Sequence, residues 1–572
     1  MQKNRKLMIA MMMIGLTMFV YEASAQAPDA DIFAVINLNN PETFIPSVGQ
    51  FIDKFQPGMG GMVNPMMVGN MVFKNPNWTG MDMAGEYKAV VLNPMKYSQA
   101  PYAFILPITN KDEYLAALAQ VLTKGEETNG IHSFTQPDQK NVFVAFASDK
   151  GILAENADVA AQVKLLVEGN SAILSEAASV KGQLTAFLSV SKILVTVRPM
   201  IDMLKQQMIM GMQQGAQQGE GQAEGTPAPP AGAQNIVQQE IDTLLALLDQ
   251  TDRLQLGVGV EDNGLRVSKA VFGISGSAME KFMAAQAPKK SRLLGVISED
   301  AAILGSGSIN LTPEFVEGYV NFLKGISAVG EATDQAMVEK LAAWAQQAME
   351  VFAGDYAFGG LNQNGDSLFT QVYTVNDSGK AKQLIAQYPE MMQHMSGMYK
   401  EMGFDMKMSL TDTMEVKGGE ILNYHFGMKA DQIPDPEGQE VFNKLFGEDI
   451  QMPAGFIGQY GVIGFGKNPQ DRVKGIMEIL DSGADVAAKF TPSLFGLPEE
   501  NNLFMYVSIP KIMTWVAEIA PDAPPFEMVE SPGFGMTGCF LDGHFEGEMF
   551  LPVDELLAAK KMGEQVQQTP AQ

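Results

Sequence analysis

Apolar residues recur along this chain with two different spacings. In short runs they alternate with polar residues, as in Arg253–Phe272 and Met536–Leu541, while elsewhere they return every three or four positions. The first period belongs to half-buried strands and the second to helices with one apolar face. Leu384, Tyr388, Met391, Met395, Met398 and Met402 stand 4, 3, 4, 3 and 4 residues apart, which is the stripe of a core-facing helix. A second helix is expected over Asn235–Gln250, with apolar Ile236, Ile241, Leu244, Leu245 and Leu248. Strands and amphipathic helices follow one another to residue 557. The pattern predicts an α+β protein of mostly antiparallel sheets with amphipathic helices against one face.

The pattern repeats. Ala34–Phe44 reads AVINLNNPETF and Gly307–Phe315 reads GSINLTPEF, each a strand followed by a Pro-Glu helix start. Proline in a first helical turn forfeits no hydrogen bond, and an early glutamate suits the helix dipole. Gly85-Glu86-Tyr87 and Gly354-Asp355-Tyr356 each open a strand. Ile152–Gly169 echoes Val462–Gly483, and Leu188–Val197 (LSVSKILVTV) aligns without gaps on Val507–Val516 (VSIPKIMTWV). Two late hairpins turn at Asp262-Asn263-Gly264 and Asp542-Gly543, strong hairpin signals between alternating apolar residues. These echoes keep one order, so two diverged copies are expected over 28–288 and 292–557. Gln213–Gln234 reads as a low-complexity insertion between two helices of the first copy, and Gly563–Gln572 as a disordered tail.

Residues 1–25 carry a basic start (Lys3, Arg5, Lys6), an apolar core over Leu7–Val20 and small residues Ala23-Ser24-Ala25. This is the pattern of a signal peptide cut before Gln26, and it predicts a periplasmic or secreted protein. The apolar core is shorter than the roughly 20 residues of a membrane span. No later run approaches that length, so no integral membrane segment is expected after cleavage. The formal net charge of −27 disfavours nucleic acid, whose binding relies on cationic side chains displacing counterions. Cys539 is the single cysteine, which excludes an internal disulfide.

Catalytic patterns are sparse. The four histidines are His132, His394, His425 and His544, and HExxH, CxxC, P-loop and G-x-S-x-G motifs are absent. Gly461, Gly464 and Gly466 form a loose glycine cluster without the acidic residue of a dinucleotide site. Asp431, Asp435 and Glu437 read as a solvated acidic turn rather than a calcium loop. No catalytic residue, cofactor or metal ligand is therefore assigned. Methionine is abundant, at 40 residues, and clusters at Met59–Met83, Met200–Met212 and Met391–Met408. The third cluster, with His394, has the soft ligands that select Cu(I), but its helical period fits a core stripe better. The first cluster stands among Gly58, Gly60, Gly61, Gly69 and Gly80, and it reads as a flexible loop. Met59, Met62, Met66, Met67 and Met71 are the candidate ligand-binding residues, since methionine-rich surfaces re-pack around varied apolar partners.

The stretches Asp31–Pro41 and Asn263–Arg266 correspond to an early "Asp, strand, Asn-x-x-x-Pro" opening and a late "Asp-Gly-Leu-Arg" hairpin, with Asn263 in the first place of the latter. In these motifs the chain resembles uncharacterised exported bacterial proteins, and the second copy departs from them with His544-Phe545 after its turn. The resemblance implies an exported duplicated α+β protein and brings no activity. The expected function is that of a non-enzymatic envelope protein binding an apolar ligand or partner: a lipid, peptide or protein segment. A hydrolase with a site assembled between the copies, and Cu(I) binding by the Met/His clusters, are the alternatives.

Overall fold

The computed structural model describes residues 31–176, 180–218, 241, 243–297, 300–327, 335–352, 354–362, 368–392, 407–429, 433, 435–447, 449–484, 486–520 and 528–568. The expected leader, His394, Met395, Met398, Met402 and Asp431 lie outside the described residues. The fold is α+β, with antiparallel sheet and helices. It divides into two compact units, one running to residue 217 and resuming over Leu245–Ile274, the other holding the chain from Ser275 onward. The border thus falls earlier than the expected 288–292. The reason is the helix Ala278–Ala284, whose Phe282 packs on Phe315 and Phe540 of the second unit.

The first unit contains β1 (Ile32–Asn39), β2 (Glu86–Leu92), β3 (Tyr102–Pro107), β4 (Thr123–Thr128), β5 (Ile131–Thr135), β6 (Asn141–Ala147), β7 (Lys150–Ala154), β8 (Leu184–Ser189), β9 (Thr251–Glu261) and β10 (Gly264–Gly273). Their antiparallel pairings run β4-β5-β6-β7-β3-β2-β1-β8-β9-β10. The second unit contains β11 (Ala301–Ile309), β12 (Gly354–Asn362), β13 (Phe369–Thr374), β14 (Met408–Val416), β15 (Gly419–Lys429), β16 (Asp449–Ile457), β17 (Tyr460–Phe465), β18 (Leu503–Val507), β19 (Phe534–Leu541) and β20 (His544–Pro552). Their pairings run β14-β15-β16-β17-β13-β12-β11-β18-β19-β20. Strand for strand, this is the order of the first unit.

The registers agree as well. Val35 stands between Val90 and Phe187, as Leu304 stands between Gly359 and Tyr506. Ile152 stands between Ile105 and Ala145, as Val462 stands between Val372 and Gly455. Leu188–Val197 and Val507–Val516 both leave a strand and enter a helix at the same step, at Val190 and Ile509. One echo is displaced. Asn39 faces Glu86 and Ser308 faces Asp355, so Ile36 corresponds to Gly305, and the Ile-Asn-Leu of 309–311 sits four residues further along. The two late hairpins also differ locally. Asp542 and Gly543 both adopt positive φ (43° and 81°), the twist-matched two-residue turn, whereas Asp262 and Asn263 do not.

Alternate residues along a strand face opposite sides, and here both sides are covered. In β3, Ala103 and Ile105 join a core with Val159, Val163 and Leu166 of the helix Ala157–Glu168. Leu106 points the other way, into a core with Phe73, Trp78, Tyr114 and Leu118. Helices therefore flank this stretch on two faces, beyond the single face expected. The second unit divides likewise, with Val372 beside Val473 and Ile476 but Tyr373 beside Ala348, Ala381 and Leu384.

Two ends are more ordered than their composition suggests. The helix Val190–Gln218 runs through the first residues of the expected insertion. The helix Val553–Gln568 runs through Gly563–Gln568, which corrects the expected tail over those residues. Met562 is fully buried and Lys560 pairs with Glu564 at 3.7 Å, so a packed face and an i,i+4 ion pair carry the helix onward. The start of that helix is pinned by Glu555, itself fully buried. Its carboxylate accepts from the amides of Ile509 at 2.6 Å and Gly533 at 2.9 Å, and from the Ser531 hydroxyl. Among the described residues no helix is long and apolar enough to cross a membrane.

Candidate apolar interaction surface

The five candidate methionines lie on the crossover from β1 to β2. Asn40, in the left-handed region at φ 50°, caps the helix Pro41–Phe55 by accepting from the Thr43 amide. A short 3-10 turn, Gly60–Met62, follows, and then the helix Pro65–Phe73. Asn64 caps that helix, accepting from the Met67 amide at 2.9 Å and donating to the Gly61 carbonyl at 3.0 Å.

The expectation of a flexible loop is corrected here, because the stretch forms a 3-10 turn and a helix in which Gly60 and Gly69 serve close approach. A Cβ on Gly60 would stand 2.1 Å from the Gly49 carbonyl oxygen, and the Gly60 amide donates to Asp53 Oδ1 at 2.6 Å. A Cβ on Gly69 would stand 2.5 Å from the Asn75 carbonyl oxygen and 2.8 Å from the Trp78 indole nitrogen. That nitrogen donates to the Pro65 carbonyl at 2.8 Å, and Phe73 meets Trp78 and Phe104 edge-on. The inner side of this lobe is therefore fixed to the core. The outer side carries Met66 at 61% exposure, Met71 at 48%, Met59 at 40% and Met62 at 38%, with Met67 half-buried.

A second apolar surface was missed as a site. On the helix Val190–Gln218, Val190, Leu194 and Val197 are buried, while Val195, Met203, Leu204, Met208 and Met210 are exposed. The sequence held the signal, because no charged residue follows Lys205 before Gln218. Glutamines are the polar residues there, interspersed with Met208, Met210 and Met212, so no charged face marks which side meets water.

The residues that carry chemistry elsewhere have structural partners. His132 faces Glu127 at 3.4 Å, His425 faces Asp449, and His544 faces Glu546 at 3.1 Å. Among the described residues no group of three His, Cys, Asp or Glu side chains converges on a point where a metal ion would sit. Cys539 is buried and reaches the Glu500 carbonyl. Asp435 caps the helix Pro436–Phe446 through the Gly438 amide at 2.9 Å, with Glu437 in its first turn. Gly461 and Gly464 leave room for the Tyr373 ring and for Val473 and Pro469. Of the helical methionine stripe, Leu384 enters the core and Met391 lines a surface cavity beside Trp344, while Met392, outside the stripe, is the methionine that enters the core. The large titration shifts are those of buried and half-buried tyrosines. Burial pushes Tyr102, Tyr424 and Tyr506 up to about 12, with Glu555 adding to the rise at Tyr506.

The sequence matches no protein-family model and no curated protein. Among solved structures it is similar to crystal form III of TP0453. The identity is 7% and the TM-score 0.21, over 45% of this chain and 83% of that one.

Proposed function

We propose that this chain is an exported, non-enzymatic envelope protein that holds an apolar partner against its methionine-bearing crossover. The observation that carries the reading is the exposure of Met59, Met62, Met66 and Met71 on a lobe whose backbone is pinned from beneath. Large apolar side chains gathered on one exposed element mark an interaction surface more often than chance exposure does. Thioether chains adapt to irregular apolar shapes, and a pre-ordered backbone lowers the entropic cost of capture. The net charge of −27 repels phosphate-rich surfaces, which favours a neutral apolar partner. Export is supported by the leader at 1–25, and intact mass of the secreted protein should begin at Gln26. Descent from a tandem duplication is supported by the shared strand order and registers.

The test uses the environment-sensitive dye anilinonaphthalene sulfonate and a triple variant, Met59→Gln, Met66→Gln and Met71→Gln. These side chains are exposed, so the melting temperature should hold while dye fluorescence falls severalfold. Unchanged dye binding in a folded triple variant would reject the surface as a binding site.

A further inference from the structure

We propose a second, separate site: a groove for a neutral saccharide between the helices Gln335–Val351 and Ser378–Ala386. Two cavities, of about 290 Å³ and about 360 Å³, share Gln347 and Gln387 as a common wall. Each is of the order of the roughly 300 Å³ at which small-molecule sites begin, and together they make an elongated groove. One end is apolar and aromatic, with Trp344 and Met391. The other is polar, with Asn376 and Gln383.

Trp344 is a fixed platform. Its indole nitrogen donates to the Leu384 carbonyl at 3.0 Å, and its ring packs 5.9 Å from that of Tyr388. The groove's length is walled by primary amides, which donate and accept at once, as sugar hydroxyls do. Of the five charged residues lining the groove, Lys340, Glu390 and Asp377 are engaged with each other or with the backbone, and the remaining two, Glu350 and Lys380, are of opposite sign. Lys340 pairs with Glu390 at 3.6 Å, and Asp377 caps the helix Ser378–Ala386 by accepting from the Lys380 amide at 2.9 Å. A charged ligand would have to displace these partners. A pyranose instead offers an apolar C–H face to the tryptophan and hydroxyls to the amides. A peptide fits less well, because both walls are helices whose backbone groups are already bonded, so no strand edge is offered.

The experiment is calorimetric titration of the full chain with maltotriose, cellotriose and chitotriose, with tri-alanine as the peptide arm. Saturable binding of at least one trisaccharide is expected, weakened tenfold or more by Trp344→Ala. Because Trp344 also packs on Tyr388, the exposed Gln347→Ala serves as the variant that keeps the fold, and it should weaken binding at least threefold. Trp515→Phe, on another helix, should leave the affinity unchanged. Binding of none of the three sugars, binding indifferent to Trp344→Ala and Gln347→Ala, or binding of tri-alanine alone would each overturn the proposal.

Discussion

Glu555→Ala is the substitution whose cost follows most directly from the structure. The carboxylate is fully buried and gathers two backbone amides and a hydroxyl from two segments, at Ile509 and at Ser531–Gly533. Alanine leaves the amides of Ile509 and Gly533 without that acceptor in a site closed to water, at about 1–3 kcal/mol each. The Ser531 hydroxyl is free to rotate and recovers part of its loss. Removing one partner of a buried charged network costs about 3–5 kcal/mol in general, so about 4 kcal/mol is expected here. At about 2–4 °C per kcal/mol for a unit of this size, the second unit should melt roughly 8–16 °C lower. Glu555→Gln keeps the shape and one acceptor but turns an NH2 group toward a backbone N–H, and should cost about 2 kcal/mol. Calorimetry reads the totals. Hydrogen exchange should show faster exchange at Ile509 and Gly533 and unchanged exchange in the first unit. A loss below about 1 kcal/mol for alanine, or a glutamine variant less stable than the alanine one, would refute the role given to this carboxylate.

Peroxide footprinting should oxidise Met66 first, then Met203, Met210 and Met71, with Met59 and Met62 later, and should spare Met477 and Met562, at 1% and 0% exposure; early oxidation of Met477 would contradict the core described. Alkaline titration tests the half-buried Tyr102 and the buried Tyr424 and Tyr506, whose folded values near 12 exceed the unfolded value near 10. Their contribution to stability is complete below about pH 10 and is lost as pH rises toward 12, so most tyrosinate absorbance should appear together with unfolding rather than before it. Gly60→Ala drives a Cβ into the Gly49 carbonyl, against backbone that cannot yield cheaply. It should cost about 2–3 kcal/mol in urea unfolding, and an unchanged midpoint would mean that the turn is not clipped to the helix.

The local grammar of this fold was legible in the sequence, and its long-range grammar was not. Both late hairpins announced themselves, because a two-residue turn at Asp262 or Asp542 is written in adjacent residues. The placement of β3 between β2 and β7 has no such signature, since Ile105 meets Ile152 across a long intervening stretch. The Ile-Asn-Leu echo misled by four positions: an even shift keeps the pleat phase, so the repeated letters still suit a strand end. Glycine was misread in the methionine lobe, because a glycine kept for close approach has the same letter as one kept for mobility. The first methionine cluster was found from composition alone. The outward helix at Met203–Met210 needed the observation that no charged residue follows Lys205 on that helix. At Met391 and Met392 a single residue decides between cavity and core, a distinction finer than a helical stripe resolves.

The central position of β1 has a consequence for how the chain is made. Val35 pairs with Phe187, and Leu304 with Tyr506, so each sheet is closed by a partner roughly 150–200 residues later. At about 5–20 residues per second of synthesis, β1 waits on the order of 10–30 seconds for its second neighbour to exist. Such contact order also slows the search once the partner arrives, because loop closure must precede the reward of pairing. A nascent chain of this design therefore remains long unclosed, with β1 available to chaperones throughout. The delay comes from strand order alone, and it would persist through any surface substitution that leaves the order intact.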